Sequence, residues 1–396
     1  MNYTFLAERP VEKYRKTDFQ FIISVILLWG LGIFSLYICS PVRARALSKD
    51  PNYFVNRQLL WSAVGFAGML FFTFIPMKKI RKLLLPGFLG AALLCVLTHA
   101  PGIGMKLKGA ARWINVPGIG SFQPSEMAKF MVILFMANLF DKLKLYEKTE
   151  GFDHYKPFGG LMFFAILIIL QRDLSSALFL MMVGLAMIFA CCRKIVWLVP
   201  VMIVLFLLMV LAIVSVDYRL ERIEAFFWPE ENSTGSAHQY IKSAEAIIEG
   251  GVWGSGSGSG LETAKEVPEL QNDYLFAGWA NAMGLLGVTG YFALLIYFAW
   301  RGFSISLKCP DRFASYGAFG CTLMIFGQSL FNCGVVCGAF PTTGITLPFF
   351  SAGGTSLLFT LCMCGFIMNA SHCPAPEYDD DDEEDIDTDE FEIQIG

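Results

Sequence analysis

The sequence predicts an all-α integral membrane protein of about ten transmembrane helices, with a large extracytoplasmic loop between the seventh and eighth. Three observations carry that reading. The 396 residues are 55% hydrophobic and only 16% charged, whereas a soluble globular chain carries about 25% charged residues. The apolar residues come in blocks, many of roughly 17–25 residues, the length that crosses a ~30 Å hydrocarbon core as a helix. Lipid offers no hydrogen-bond partners, so a spanning block must satisfy its own backbone groups, and a helix does so.

Ten blocks qualify: Phe19–Cys39, Leu59–Ile75, Leu83–Leu97, Ser125–Phe140, Phe158–Leu170, Leu174–Cys192, Ile195–Val216, Leu275–Trp300, Phe313–Phe331 and Leu357–Asn369. The third, fifth and tenth are short or weakly bounded. The eighth is long enough to tilt, and Gly284, Gly287 and Gly290 allow it a kink or close packing. The first follows a basic stretch without a small-residue cleavage site, so it reads as an anchor rather than a removable signal. No internal repeat is visible, which counts against transporter folds built from duplicated halves. The chain divides into an N-terminal segment (1–18), a polytopic membrane domain (19–370, its large loop at 217–273) and an acidic tail (371–396).

Lys and Arg concentrate on the cytoplasmic side of membrane proteins. Of the 30 in the chain, 17 fall on the side of the termini and 12 on the other, with Lys129 inside a span. The bias places both termini in the cytoplasm and the 217–273 loop outside. Two basic outer loops soften it, one holding Arg43, Arg45, Lys49 and Arg57, the other Lys106, Lys108 and Arg112. A polyanion outside explains them, and a lipid-linked pyrophosphate is one such ligand because Arg grips phosphate bidentately. Attraction to anionic headgroups is the simpler alternative.

The net charge of −4 hides an asymmetry: Asp379–Glu392 is almost wholly acidic, so the rest is net basic. Such a tail reads as a solvated, disordered extension, with docking to a basic cytoplasmic partner as the alternative. Nucleic acid is not indicated. Most of the eleven cysteines lie within apolar runs and the four histidines are scattered, so no zinc site or other metal cluster is expected.

Within the loop, Ile241–Glu249 has the pattern of an amphipathic helix lying on the bilayer. The run Gly254–Gly260 alternates Gly and Ser; it lacks a following Lys-Ser/Thr and a preceding strand, so it reads as a linker rather than a phosphate loop. The loop ends at Asp273, the last charge before the eighth span. Partial desolvation there favours a proton acceptor near neutral pH, while the same position suits an interfacial helix cap. In the fourth span, Glu126 and Lys129 share one helical face. Each alone would cost ~2.5–3.5 kcal/mol at mid-membrane, so they pair or line a polar cavity. Gly334, Gly338, Pro341, Gly344, Pro348, Gly353 and Gly354 interrupt apolar sequence before the last span, the pattern of a re-entrant segment beside a site.

Three stretches resemble the SEDS family of cell-wall polymerases. Gly109–Ile114 followed by Ser121–Lys129 is similar to the family's signature after the third span. Gln171-Arg172-Asp173-Leu174-Ser175-Ser176-Ala177 is similar to its motif at the sixth. Asn332–Val336, Pro341–Phe349 and Ser351–Leu357 resemble its C-terminal signature. The match runs from about Phe19 to Asn369, and Phe54–Trp61 looks more like the division member, FtsW, than the elongation member, RodA.

The resemblance implies an inverting glycosyltransferase that joins the disaccharide of lipid II to nascent glycan and releases a pyrophosphate-linked lipid. Asp273 matches the family's essential Asp and would be the general base. Arg43, Arg45, Lys108, Arg112, Gln239, Lys265 and Glu269 are the substrate-binding candidates, and a divalent cation (Mg or Mn) is an alternative source of positive charge. Glu126 and Lys129 match the family's charged pair. Implied partners are a class B penicillin-binding protein transpeptidase (FtsI-like) and other divisome membrane proteins. The implied location is the bacterial inner membrane, at the division septum. Ala280-Asn281, Ala352 and Gln271-Asn272 depart from the family's acidic pair, its Tyr and its His-Thr. A lipid II flippase and a scaffold that only recruits the transpeptidase are the competing readings.

Overall fold

The computed structural model describes residues 17–107, 110–116, 120–145, 156–191, 217–228, 235–256, 264 and 266–372. Its first helices are α1 (Phe19–Cys39), α2 (Pro41–Ala46), α3 (Tyr53–Phe74) and α4 (Met77–Leu97). A three-stranded antiparallel sheet follows, β1 (Gly104–Leu107), β2 (Ala110–Val116) and β3 (Gly120–Phe122), with β2 central. Then come α5 (Pro124–Leu145), α6 (Lys156–Leu170), α7 (Leu174–Cys191), α8 (Asp217–Phe227), α9 (Ser236–Gly250), α10 (Leu275–Lys308), α11 (Arg312–Val336) and α12 (Gly354–Ser371).

Six of these, α1, α4, α7, α10, α11 and α12, are long and apolar enough to cross a membrane. The 22 residues of α3 and of α5 are also long enough, about 33 Å at 1.5 Å per residue, but include more polar side chains. α6 is short, at 15 residues. Among the described residues, nine of the expected spans coincide with a helix. The seventh, Ile195–Val216, lies outside them, as do the acidic tail beyond His372 and most of the N-terminal segment.

Boundaries differ from expectation where charge meets helix. α4 begins at Met77 rather than Leu83, because the cationic stretch Lys78–Lys82 is itself helical. α10 continues past Trp300 to Lys308. The basic stretch expected as a plain loop is the sheet, in which Trp113 faces Met105 and Ile114 faces Phe122. The strands satisfy one another's backbone groups, which gives Arg112 a rigid mount.

α12 is the central helix: Leu361, Cys364, Phe366, Ile367 and Ala370 are fully buried. It lies close against α3 because small residues face it there. A Cβ on Gly365 would sit 2.2 Å from the Met69 carbonyl oxygen. Asn369 donates to the carbonyls of Phe72 (2.8 Å) and Ile75 (2.6 Å), the orphan acceptors at the end of α3. Leu85, Leu89 and Leu93 of α4 face outward and exposed, as a lipid-facing surface requires.

α10 is broken. Gly284 has φ 61° and ψ −163°, a conformation that glycine adopts at little cost. A break frees backbone groups that lipid cannot satisfy, and the chain after α9 satisfies them. Leu285 N–H donates to Gly251 O (2.9 Å) and Leu286 N–H to Val252 O (3.3 Å), while Ser255 and Gly256 donate to Asn281 O (2.9 Å) and Ala282 O (3.1 Å). The Gly-Ser run is therefore a docked patch at Gly254–Gly256, not a free linker there; its remainder, 257–260, lies outside the described residues. α9 covers the expected amphipathic helix, but it packs on protein rather than only on the bilayer. Ser243 and Ala246 are fully buried, Ser243 donates to Val336 O at 2.8 Å and Asn281 donates to Ala246 O at 2.8 Å.

Candidate active site

Asp273 ends a tight segment that begins at Pro268. Glu269 takes a positive φ of 56°, and its carboxylate accepts from Asn272 Nδ2 (2.8 Å) and Gln271 Nε2 (3.3 Å). Those bonds close the turn before Asp273. The helix cap at this end of α10 is Tyr274, with no side-chain capping bond, so Asp273 is not the capping residue.

The non-helical stretch between α11 and α12 is stitched to this turn. Asn332 Nδ2 donates both to Asp273 O (2.7 Å) and to Ile345 O (2.8 Å). Ser351 Oγ donates to Asn272 O (2.5 Å), Ala352 N–H donates to Gln271 O (2.9 Å), and Gln58 Nε2 donates to Ser351 O (3.0 Å). Apolar packing buries Ile345, Leu347, Phe349 and Phe350. This is the irregular backbone that the Gly and Pro pattern predicts, held by hydrogen bonds and apolar packing along 345–352.

Gly344, within this stretch, is exposed. A Cβ there would lie 3.7 Å from Asp273 Oδ2 and 3.8 Å from Arg112 Nη1. Arg112 projects from β2. Its guanidinium lies 3.6 Å from the Asp173 carboxylate and donates to the Arg172 carbonyl, which a positive φ of 61° at Arg172 presents. Asp173 also caps α7 by accepting from Ser176 N–H at 3.3 Å. Arg112 Nε is buried without a partner among the described residues.

A second polar chain enters from α5. Glu126 and Lys129 form an ion pair at 2.8 Å, both nearly fully buried. Lys129 Nζ donates to Gln328 Oε1 (3.0 Å), Gln328 Nε2 donates to Thr346 O (2.9 Å), and Thr346 and Ser356 share a hydroxyl bond (2.9 Å). The pair thus braces the re-entrant segment two residues beyond Gly344.

The other candidates are more dispersed. Arg43 and Arg45 are exposed on α2, and Gln239 is half-buried on α9. Lys108 and Lys265 lie outside the described residues. Glu269 directs its carboxylate into its own turn. Asn332, Gln328, Asp173 and Arg222 were not among the candidates. Asn332 and Asp173 stand inside the quoted motifs, and that is the signal that marks them. No group of three His, Cys, Asp or Glu side chains suited to a metal is present among the described residues.

A polytopic helical membrane protein with a carboxylate, a guanidinium and a re-entrant segment gathered at one end of the bundle belongs to the class of membrane-embedded enzymes. The family model described as "Cell cycle protein", covering FtsW, RodA and SpoVE, matches residues 19–374. The chain is 34% identical over 374 residues to the probable peptidoglycan glycosyltransferase FtsW of Geobacter metallireducens, covering 94% of this chain and 98% of that one. It is 34% identical over 367 residues to stage V sporulation protein E of Bacillus subtilis, covering 91% and 98%. A solved chain from a peptidoglycan synthase complex that coordinates polymerization and crosslinking superposes with a TM-score of 0.75 at 25% identity, covering 90% of this chain and 97% of that one. The chain belongs to the FtsW/RodA/SpoVE family, as its motifs led us to expect.

Proposed function

We propose that this family member is the peptidoglycan glycosyltransferase that polymerises lipid II during cell division. Asp273 takes the proton from the acceptor sugar hydroxyl, and that oxygen attacks the anomeric carbon of the donor. The bond from that carbon to the lipid pyrophosphate breaks, and its electron pair leaves on the phosphate oxygen. Arg112 offsets the charge that develops there. Direct displacement inverts the anomeric centre and leaves no covalent sugar–enzyme intermediate. The observation that carries the reading is the convergence of the Asp273 carboxylate and the Arg112 guanidinium on the exposed backbone of Gly344. A general base and an anion-stabilising cation must both reach the reacting centre, and Gly344 leaves space for it.

The reading puts the site on the outer face, both termini in the cytoplasm, and a class B penicillin-binding protein beside the chain to crosslink the product. The solved relative's complex, which couples polymerization to crosslinking, supports that partner. Purified protein, with its transpeptidase partner, is given lipid II in detergent, where flipping has no meaning. Wild type forms glycan strands, while Asp273→Asn, which keeps the shape and removes the base, forms none. Strand formation by both proteins at equal rates sinks the assignment. Absence of strands with wild type favours the flippase or scaffold reading.

A further inference from the structure

The donor's pyrophosphate carries more charge than one guanidinium neutralises, and the site holds a second one. Arg222, half-buried on α8, donates from Nη1 to the Thr342 carbonyl at 3.1 Å. Arg112 reaches Gly344 from the sheet. Two cations distant in sequence, Arg112 from the sheet and Arg222 from α8, thus arrive at the same three-residue stretch, Thr342–Gly344.

Their surroundings are rich in hydrogen-bond donors. The Tyr274 phenol and the Thr342 hydroxyl belong to residues more than nine-tenths buried, and neither has a partner among the described residues; the Thr343 hydroxyl and Arg112 Nε are buried without a partner there as well. Buried polar groups left open in this way call for a missing ligand, water or ion. Arg222 and Asp273 both act electrostatically on Tyr274: burial chiefly, then Asp273, pushes its phenol well above the ordinary range, and Arg222 opposes the rise. Guanidinium groups, hydroxyls and a phenol together suit a ligand made of acceptor oxygens.

We propose that Arg222 is a donor-binding residue that holds the lipid pyrophosphate together with Arg112, with the Thr343 hydroxyl as a further donor. The proposal rests on the glycosyltransferase reading and extends it to α8, an element of the large loop. α8 then does more than cover the site: it brings a second guanidinium to Thr342–Gly344, so that the loop completes the donor pocket.

The test has two arms on the full-length protein. In the first, melting temperature is read with and without inorganic pyrophosphate, a probe of the site independent of turnover. Wild type shifts upward, Arg222→Lys keeps part of the shift, and Arg222→Gln loses it. No shift in wild type, or an equal shift in Arg222→Gln, overturns the proposal. In the second arm, lipid II kinetics on Arg222→Gln show KM raised roughly tenfold or more, as loss of a charge-assisted bond predicts, with kcat within about threefold. A fall in kcat at unchanged KM, with a lower melting temperature, means that Arg222 only braces Thr342, and the proposal fails. Should Arg222→Gln not fold, Thr343→Val decides: a smaller pyrophosphate shift supports the pocket and an unchanged one overturns it. If wild type makes no glycan, the glycosyltransferase reading falls, while the pyrophosphate arm still judges Arg222.

Discussion

Asp273 and Arg112 both reach Gly344: the carboxylate and the guanidinium each lie at van der Waals distance from where its Cβ would be, 3.7 Å and 3.8 Å away. A methyl there would touch both groups without clashing with either. Gly344 is not among the glycines held at positive φ, so alanine fits the backbone, and its added carbon clashes with nothing. We expect Gly344→Ala to fold with a melting temperature within about 2 °C of wild type, as a strain-free surface change does. Glycan synthesis from lipid II should fall at least tenfold as the methyl fills the reacting space. Full activity in that variant would mean that the substrate passes elsewhere.

Asn332 holds the site together from behind. One amide donates to two carbonyls, that of Asp273 and that of Ile345, so a single side chain ties the Asp273 turn to the stretch between α11 and α12. Asn332→Leu strands both acceptors in a buried place, at a cost of about 1–3 kcal/mol each. Thermal unfolding of the purified variant should come several degrees lower. On the proposed mechanism, polymerisation should drop through kcat rather than KM, because Asp273 loses its position while Arg112 and Arg222 keep theirs. A variant as stable and active as wild type would show that Ser351 and Ala352 alone hold the turn.

How much of this was legible beforehand depended on how far apart the partners lie. Helix positions followed from apolar blocks, since each block satisfies its own backbone. Asp273, Arg112 and the Glu126–Lys129 pair were visible through motif and spacing, because an i,i+3 pair needs no tertiary knowledge. Asn332 lies 59 residues from Asp273 and Arg222 lies 120 from Thr342, and no local pattern links such pairs. The sheet escaped because its strands are short and lie in a basic stretch with several glycines. The docking of Gly254–Gly256 escaped for a further reason: a Gly-Ser run has the composition of a linker, and only the break at Gly284 gives it backbone groups to pair with.

That pairing gives a third expectation. An added Cβ on Gly254 would lie 2.2 Å from Ala282 O, and one on Gly284 would lie 2.4 Å from Gly254 N. Both residues also sit at positive φ. Alanine at either position meets backbone atoms that cannot rotate away. Gly254→Ala and Gly284→Ala should each lower the yield of folded protein in detergent and open α9 to proteolysis, whereas Gly290→Ala, with open space around it, should behave as wild type. Limited proteolysis followed over time separates these cases. Equal resistance in all three would place the patch outside the stable core.

The buried ion pair gives the last. Glu126 and Lys129 are nearly sealed from solvent, and Lys129 donates to Gln328 Oε1, whose own amide nitrogen donates to the Thr346 carbonyl. Removing one partner leaves an uncompensated buried charge, which costs about 3–5 kcal/mol, whereas replacing both with apolar groups is often close to neutral. Lys129→Met and Glu126→Leu should each destabilise strongly, and the double variant should recover most of the lost stability in a thermal double-mutant cycle. Activity should behave differently. The double variant still lacks the ammonium that orients Gln328, so Thr346 loses its brace and the backbone beside Gly344 loosens. Stability restored without polymerisation would assign the pair to positioning the re-entrant segment. Polymerisation restored along with stability would reduce the pair to packing, since a merely structural charge pair has no further task once an apolar one fills its place.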